Sequence, residues 1–235
     1  MTSNSNLNSA LNSSSSSVQA FENFSWSTEC ESSALPSGSV LSITCECDAA
    51  YLEKKREASA HLSSQAVYAA SEKMLQLLGE AWPEHPVLSD EYENIRWEWD
   101  IVLTDNQRIQ ALNEQHRNKS SATDVLSFPG LEFQKNKTND ALSVFPIQNL
   151  GSVVISLEWA NEYAAQCERS SQQPSTSEQV RYFILDRLMH GLLHILGQHH
   201  DTMPDYKRVV EWQTQAVLAA FELPQNCESG GSDES

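Results

Sequence analysis

Three histidines that lie close together in the chain are the residues best suited to do chemistry. His190 and His194 are four residues apart, so on a helix their side chains lie on the same face. Gly197 can end that helix in a left-handed turn, after which His200 can return as a third ligand. Three neutral imidazoles with a fourth position left for water describe an open, potentially catalytic zinc site. The alternative is a buried helix that contains histidines by chance.

The residue after the first histidine bears on the reaction that such a site could perform. The same offsets occur in the zinc-protease pattern H-E-x-x-H-x-x-G-x-x-H, in which a glutamate follows the first histidine and accepts a proton from water. Here that position is Gly191, which cannot act as a base. A zinc hydrolase acting on peptides or small molecules therefore needs a base from elsewhere in the chain.

The spacing of apolar residues indicates the elements that would position this motif. Residues 178–196 are apolar almost all round, and Thr176 or Ser177 can cap their start, which predicts a buried central helix that carries the metal motif. Period-2 alternation and short apolar runs predict strands at 41–47, 95–103, 123–129 and 153–156. Helical periodicity predicts further helices at about 62–82, 105–117, 158–169 and 205–221. We therefore expect an α+β fold: a single domain with a small mixed sheet of three to four strands and about five helices.

Both ends of the chain have the composition of disordered tails. Residues 1–38 are rich in serine and asparagine and contain few large apolar side chains, so they cannot bury enough surface to offset the cost of ordering. Residues 224–235 are rich in glycine, serine and acidic side chains. The expected domain therefore spans residues 39–223.

The charge of the chain limits how it can bind nucleic acid. The formal net charge is −17, which argues against a general nucleic-acid coat, because phosphate binding depends largely on lysine and arginine. Any contact with RNA must come from a local basic patch. The available cations concentrate between residues 108 and 137 and are Arg108, Arg117, Lys119, Lys135 and Lys137.

Cysteine usage and hydropathy indicate the compartment. The five cysteines are odd in number and match no zinc-finger spacing, which favours reduced thiols in a cytosolic protein. No stretch approaches the roughly 18 to 20 apolar residues of a membrane span, and the N-terminus lacks the apolar core of a signal peptide. We therefore expect a cytoplasmic protein without a membrane partner.

Four motifs carry a resemblance to a known family. They are, in chain order, LNEQHR at 112–117, TDVLSFP at 123–129, LGSVVIS at 150–156, and HGLLHILG at 190–197 followed by His200. In this order they resemble the YbeY family of bacterial rRNA-maturation factors. The likeness covers roughly residues 40–222.

The resemblance implies a fold, an activity and a set of site residues. It implies a zinc-dependent, single-strand-specific endoribonuclease that acts in late 16S rRNA 3′-end maturation and in ribosome quality control. One zinc ion per chain would be held by His190, His194 and His200, and Arg117 would be the catalytic arginine. The implied substrate is the 16S precursor in its single-stranded regions, and ribosomal proteins or the small subunit are the implied partners of a monomer.

Two positions depart from the family pattern, and one rival hypothesis stays open. Where the family usually has Gly-Tyr-Asp-His, this chain has GQHH at 197–200, so His199 stands in place of an acid and could compete as a ligand, while Asp201 could substitute for the missing acid. Ser152 stands where the family commonly has aspartate. The rival hypothesis is a ribosome-assembly factor that binds pre-rRNA or a ribosomal protein, with a mainly structural zinc.

Overall fold

A mixed sheet and five α-helices make up the part of the chain that the computed structural model describes, namely residues 25–47, 62–133, 145–167, 176–200 and 202–222. The strands are β1 (Ser25–Glu31), β2 (Val40–Cys47), β3 (Arg96–Thr104), β4 (Val125–Pro129) and β5 (Ile147–Ser156). The helices are α1 (Ser64–Ala81), α2 (Asn106–Arg117), α3 (Leu157–Cys167), α4 (Thr176–Ile195) and α5 (Met203–Phe221). None of the helices within these residues has the length and apolar character needed to cross a membrane.

The sheet has the strand order β1-β2-β3-β5-β4. Its three inner strands run parallel to one another, and the two edge strands are antiparallel to their neighbours. Residues of β3 alternate as predicted, because Trp97, Trp99 and Ile101 are fully buried while the residues between them keep some exposure. The α+β prediction is confirmed, with five strands in the described residues instead of three to four.

The additional strand lies in a stretch that the sequence assigned to the N-terminal tail. β1 pairs with β2 along its whole length, from Ser25 opposite Glu46 to Glu31 opposite Val40. The residues of β1 are mostly small or polar, so their composition gave no strand signal, and the ladder to β2 supplies the stabilisation. The predicted tail boundary at residue 38 is therefore wrong for residues 25–38. Residues 1–24 and the predicted tail 224–235 lie outside the described residues.

α4 is the buried central helix that the sequence predicted. It contacts α3, α5, β4 and β5, and the side chains that it buries completely include Ile184, Leu185, Leu188 and Leu193. The helix can approach the sheet closely because residue 191 is glycine. A Cβ atom at Gly191 would lie only 2.6 Å from Cγ1 of Val153 on β5. The position after the first histidine therefore faces the sheet.

α2 ends at Arg117, the predicted catalytic residue. Asp105 caps the start of the helix by accepting a hydrogen bond from the Arg108 backbone N–H at 2.8 Å. At the other end, Asn118 adopts a left-handed conformation with φ of 55° and donates its N–H to the Glu114 carbonyl at 3.1 Å. The predicted helix is thus confirmed, and its last residue is the exposed Arg117.

Candidate metal centre

The three predicted ligands come together at the C-terminal end of α4. The Nε2 atoms of His190 and His194 lie 3.0 Å apart. The ring of His200 approaches both, with centroid distances of 5.2 Å to His190 and 5.0 Å to His194. One donor atom from each residue lies within 4.8 Å of the others, the distance expected of groups that could share one metal ion. Three imidazole nitrogens grouped in this way are a donor set that suits zinc.

A left-handed turn after α4 carries the chain back to the third histidine. Gly197 has φ of 71°, and its N–H donates to the His194 carbonyl at 3.1 Å. A Cβ atom at this position would lie 2.8 Å from the carbonyl oxygen of Phe133, so a larger residue would be both strained and crowded. The turn predicted at Gly197 is confirmed, and His200 follows it.

A buried histidine outside the motif holds this turn in place. Val87 donates its backbone N–H to His85 Nδ1 at 3.2 Å, so the ring proton lies on Nε2, which donates to the carbonyl oxygen of Leu196 at 3.2 Å. The His85 ring also packs 4.6 Å from the ring of Phe133. Burial lowers the pKa of His85 to about 4, so this histidine is neutral at physiological pH.

The two helix histidines are also held in the neutral form. Burial lowers the pKa of His190, and it lowers the pKa of His194 to about 4. The charges that add to burial at His194 come from His190, His200, His199 and Arg117. Neutral imidazole is the form that binds a metal ion, so this environment favours metal binding over protonation. Arg117 thus contributes to the lowered pKa of His194, after burial and the three neighbouring histidines.

A glutamine that the sequence analysis missed orients the first ligand. The Oε1 atom of Gln213 on α5 accepts from His190 Nδ1 at 3.3 Å. The amide of Gln213 is oriented by Asp186, because its Nε2 donates to the Asp186 carbonyl at 3.2 Å. His190 therefore carries its proton on Nδ1 and turns an unprotonated Nε2 toward His194 and His200. The signal in the sequence was a polar residue on the otherwise apolar face of the amphipathic helix α5.

An ion-pair network connects this arrangement to another motif of the sequence. Arg187 donates from Nε to Asp186 at 2.9 Å and from a terminal nitrogen to Asp124 at 3.2 Å. Asp124 is the second residue of the segment TDVLSFP and accepts the N–H of Val125 at 2.9 Å. The start of β4 is therefore tied to the helix that carries His190 and His194.

The remaining candidate residues lie at or beyond the edge of the site. The His199 ring is 5.6 Å from the His194 ring and exposed, and His199 is not part of the three-histidine group. Ser152 is paired with Phe128 across β5 and β4 and faces away from α4, opposite to Val153. Asp201 and the cations Lys135 and Lys137 lie outside the described residues.

Comparison with known proteins identifies the family. A family model described as Endoribonuclease YbeY matches residues 58–222, which is more than half of the chain. This chain belongs to the YbeY family. As a member of a family of endoribonucleases, it is an enzyme of the predicted class, a nuclease that acts as a hydrolase.

Relatives named Endoribonuclease YbeY include proteins of Acetivibrio thermocellus and Nautilia profundicola. The first is 33% identical over 134 residues, which cover 55% of this chain and 76% of that protein. The second is 35% identical over 127 residues, which cover 54% of this chain and 74% of that protein. A solution structure of a protein from Thermotoga maritima is similar to this chain at a TM-score of 0.38 and 20% sequence identity. The aligned region covers 68% of this chain and 83% of the Thermotoga protein.

Proposed function

We propose that this YbeY-family chain is a zinc-dependent, single-strand-specific endoribonuclease that matures the 3′ end of 16S rRNA and takes part in ribosome quality control. The observation that carries the proposal is the convergence of three histidines, two of them held neutral by burial, with Arg117 contributing to the lowered pKa of His194. The family match supports the endoribonuclease class. The substrate within rRNA, the cytoplasmic location, the ribosomal partner and the monomeric state belong to the same proposal.

The donor set fits one zinc ion per chain. His190, His194 and His200 supply three nitrogen ligands, and structural zinc sites almost always have four protein ligands, so a three-histidine set is typical of catalytic zinc. When bound, zinc would supply Lewis acidity at the scissile phosphodiester. The protein's own contribution is to keep His190 and His194 unprotonated and, through Gln213, to fix the proton of His190 on the nitrogen that faces away from the site.

Arg117 would stabilise the negative charge that develops on the phosphate in the transition state. Its planar guanidinium can donate two hydrogen bonds to two phosphate oxygens at once. The side chain is exposed at the C-terminus of α2, so it can reach a substrate without first breaking a buried contact. Lys119, two residues later and also exposed, adds a second positive charge at this end of the helix.

The rival function is an assembly factor that binds a ribosomal protein and uses zinc structurally. One observation favours it: a net charge of −17 suits a basic protein partner better than bare RNA. The three-histidine donor set favours catalysis instead, because it leaves a coordination position for substrate or water.

Metal content and nuclease activity, measured on the same protein preparations, separate the two functions. We expect the wild type to hold about one zinc and to cut single-stranded RNA from a 16S 3′ fragment, and His194→Ala to lose both properties. Arg117→Ala should keep its zinc but cut about 10²- to 10³-fold more slowly, the usual cost of removing one preorganised donor to a transition state. Arg108→Ala removes an exposed arginine at the other end of α2 and controls for the loss of one positive charge, so it should keep its zinc and cut much faster than Arg117→Ala. Zinc binding with no activity above a no-enzyme control would support the assembly-factor function.

A further inference from the structure

Three aromatic side chains form a partly exposed patch on α3 and α4. Trp159 and Tyr163 lie one turn apart on α3 and are 40% and 37% exposed. The ring of Tyr163 is 5.1 Å from the ring of Phe183 on α4, at a tilt of 37°. We refer to Trp159, Tyr163 and Phe183 as the aromatic platform. Large aromatic groups left accessible in this way mark interaction surfaces more often than isolated apolar residues do.

The platform is continuous with the candidate metal centre along α4. Residues 183, 187, 190 and 194 follow one another at helical spacing on the same stripe, and all four keep partial exposure while most of their neighbours on α4 are buried. The guanidinium of Arg187 lies 5.8 Å from the centre of the Phe183 ring, between the platform and His190. Seven residues separate Phe183 from His190, which is about 10 Å along the helix axis. A strand of RNA could span this distance with one or two nucleotides.

The charges around the platform favour a base over a phosphate as its ligand. Arg187 already donates to Asp186 and Asp124, so the local charge is not positive and a phosphate would gain little there. Stacking of a base on an aromatic ring does not depend on net charge, and it supplies affinity in proteins that bind single strands. In a chain with a net charge of −17, base stacking is therefore the RNA-binding contact that the described residues around the platform best support.

We propose that the aromatic platform binds an unpaired base of the substrate RNA by stacking, one or two nucleotides from the phosphodiester at the metal centre. The inference rests on the proposed endoribonuclease function and adds a reason for single-strand specificity. A base inside a duplex is stacked on both faces and paired at its edge, so it has no free face to present to Tyr163 or Trp159. An unpaired base has one.

The test compares removal of the ring with its conservative replacement. Tyr163→Ala and Trp159→Ala should raise the Kd for a labelled single-stranded oligoribonucleotide by about 5- to 100-fold, the usual effect of removing one stacking partner. Tyr163→Phe and Trp159→Phe keep a ring and should bind within about twofold of the wild type. Leu218→Ala removes an apolar side chain that is still more exposed, at 51%, from α5 and is the matched control. The slope of log Kd against log salt should stay unchanged, because no phosphate contact is lost.

The readouts separate a failure of this inference from a failure of the proposed function. The Kd is measured in the Arg117→Ala background, in which cleavage is expected to be slow enough for binding to reach equilibrium first, and cleavage is measured separately in the native background. Unchanged Kd in both alanine variants would overturn the platform even if the wild type cuts RNA. The inference would also be overturned if the alanine variants weakened the binding of duplex RNA as much as the binding of single-stranded RNA. If the alanine variants bind RNA as the wild type does but no longer bind purified small-subunit proteins, the surface binds a protein partner and the inference is overturned.

Discussion

Replacing Gln213 with leucine tests the arrangement around the first ligand. Gln213 is only 4% exposed, so no bulk water can take over its hydrogen bond to His190 in the variant. Leucine fills a similar volume but offers no acceptor, and the N–H at Nδ1 of His190 would then be left without its partner. The imidazole would lose the contact that fixes both its orientation and its protonated nitrogen. We expect weaker zinc binding with the fold retained.

The size of the effect follows from the geometry. Loss of a hydrogen-bond partner behind a metal ligand typically costs 10- to 100-fold in metal affinity, or about 1.4 to 2.7 kcal/mol. The bond from Gln213 to His190 is long at 3.3 Å, and the acceptor is a neutral amide instead of a carboxylate. We therefore expect Gln213→Leu to lose about tenfold in zinc affinity, at the lower end of this range. The variant should also unfold more easily by about 1 kcal/mol, because the hydrogen bond from Gln213 to Asp186 is lost.

The assay is competition for zinc between the protein and a chromophoric chelator, with circular dichroism as the check on folding. Gln215→Leu is the matched control, because Gln215 lies on the same helix and donates to the surface residue Glu211, away from His190. Its zinc affinity should equal that of the wild type. If Gln213→Leu is folded and binds zinc as tightly as the wild type and Gln215→Leu, Gln213 does not orient His190 and the reasoning fails.

Three further predictions concern stability, each measured by urea unfolding of chelator-treated protein. Gly191→Ala should destabilise the fold by about 1 to 3 kcal/mol through overpacking against Val153, and the added change Val153→Ala should recover part of that loss. His85 is neutral when folded, with its pKa lowered to about 4, so the stability present above its unfolded pKa should fall by roughly 2 to 3 kcal/mol as the pH drops to about 4.5. His85→Gln should lose that much less stability over the same pH range, and the fall that remains is expected from His190 and His194, whose pKa values are also lowered. Arg187→Lys should lower the free energy of unfolding by about 1 kcal/mol, because one ammonium cannot reproduce the forked contacts to Asp124 and Asp186. An unchanged unfolding midpoint would refute this.

The parts of the fold that the sequence predicted well are those whose signal is local. The α4 helix and the turn after it depend on residues within a few positions of one another, namely the spacing from His190 to His194 and the glycine at 197. The alternation in β3 is equally local, since Trp97 and Trp99 are buried on the face that every second residue shares. Such patterns survive in a single sequence because the period belongs to the element itself.

The features that could not be predicted from the sequence depend on contacts between segments that are distant in the chain. β1 has few strand-forming residues, and its existence rests on pairing with β2, which no local pattern of β1 encodes. Arg187 meets Asp124 across 63 positions of the chain, and Gln213 reaches His190 only because α5 packs against α4 in one particular register. Propensity and periodicity carry no information on such registers, so these three features required the structure.

The docking of α4 on the sheet bears on which chemistry a pair of histidines four residues apart can perform. In the zinc-protease pattern the residue after the first histidine is the base, but here that position is turned into contact with Val153, where a Cβ atom already has no room. A glutamate at 191 would have to push the helix off β5. The proton acceptor and the charge stabilisation must then come from other elements, and Arg117 at the end of α2 carries a positive charge that contributes to the lowered pKa of His194. The spacing of the histidines thus indicates the metal, while the surface against which their helix packs limits the reaction.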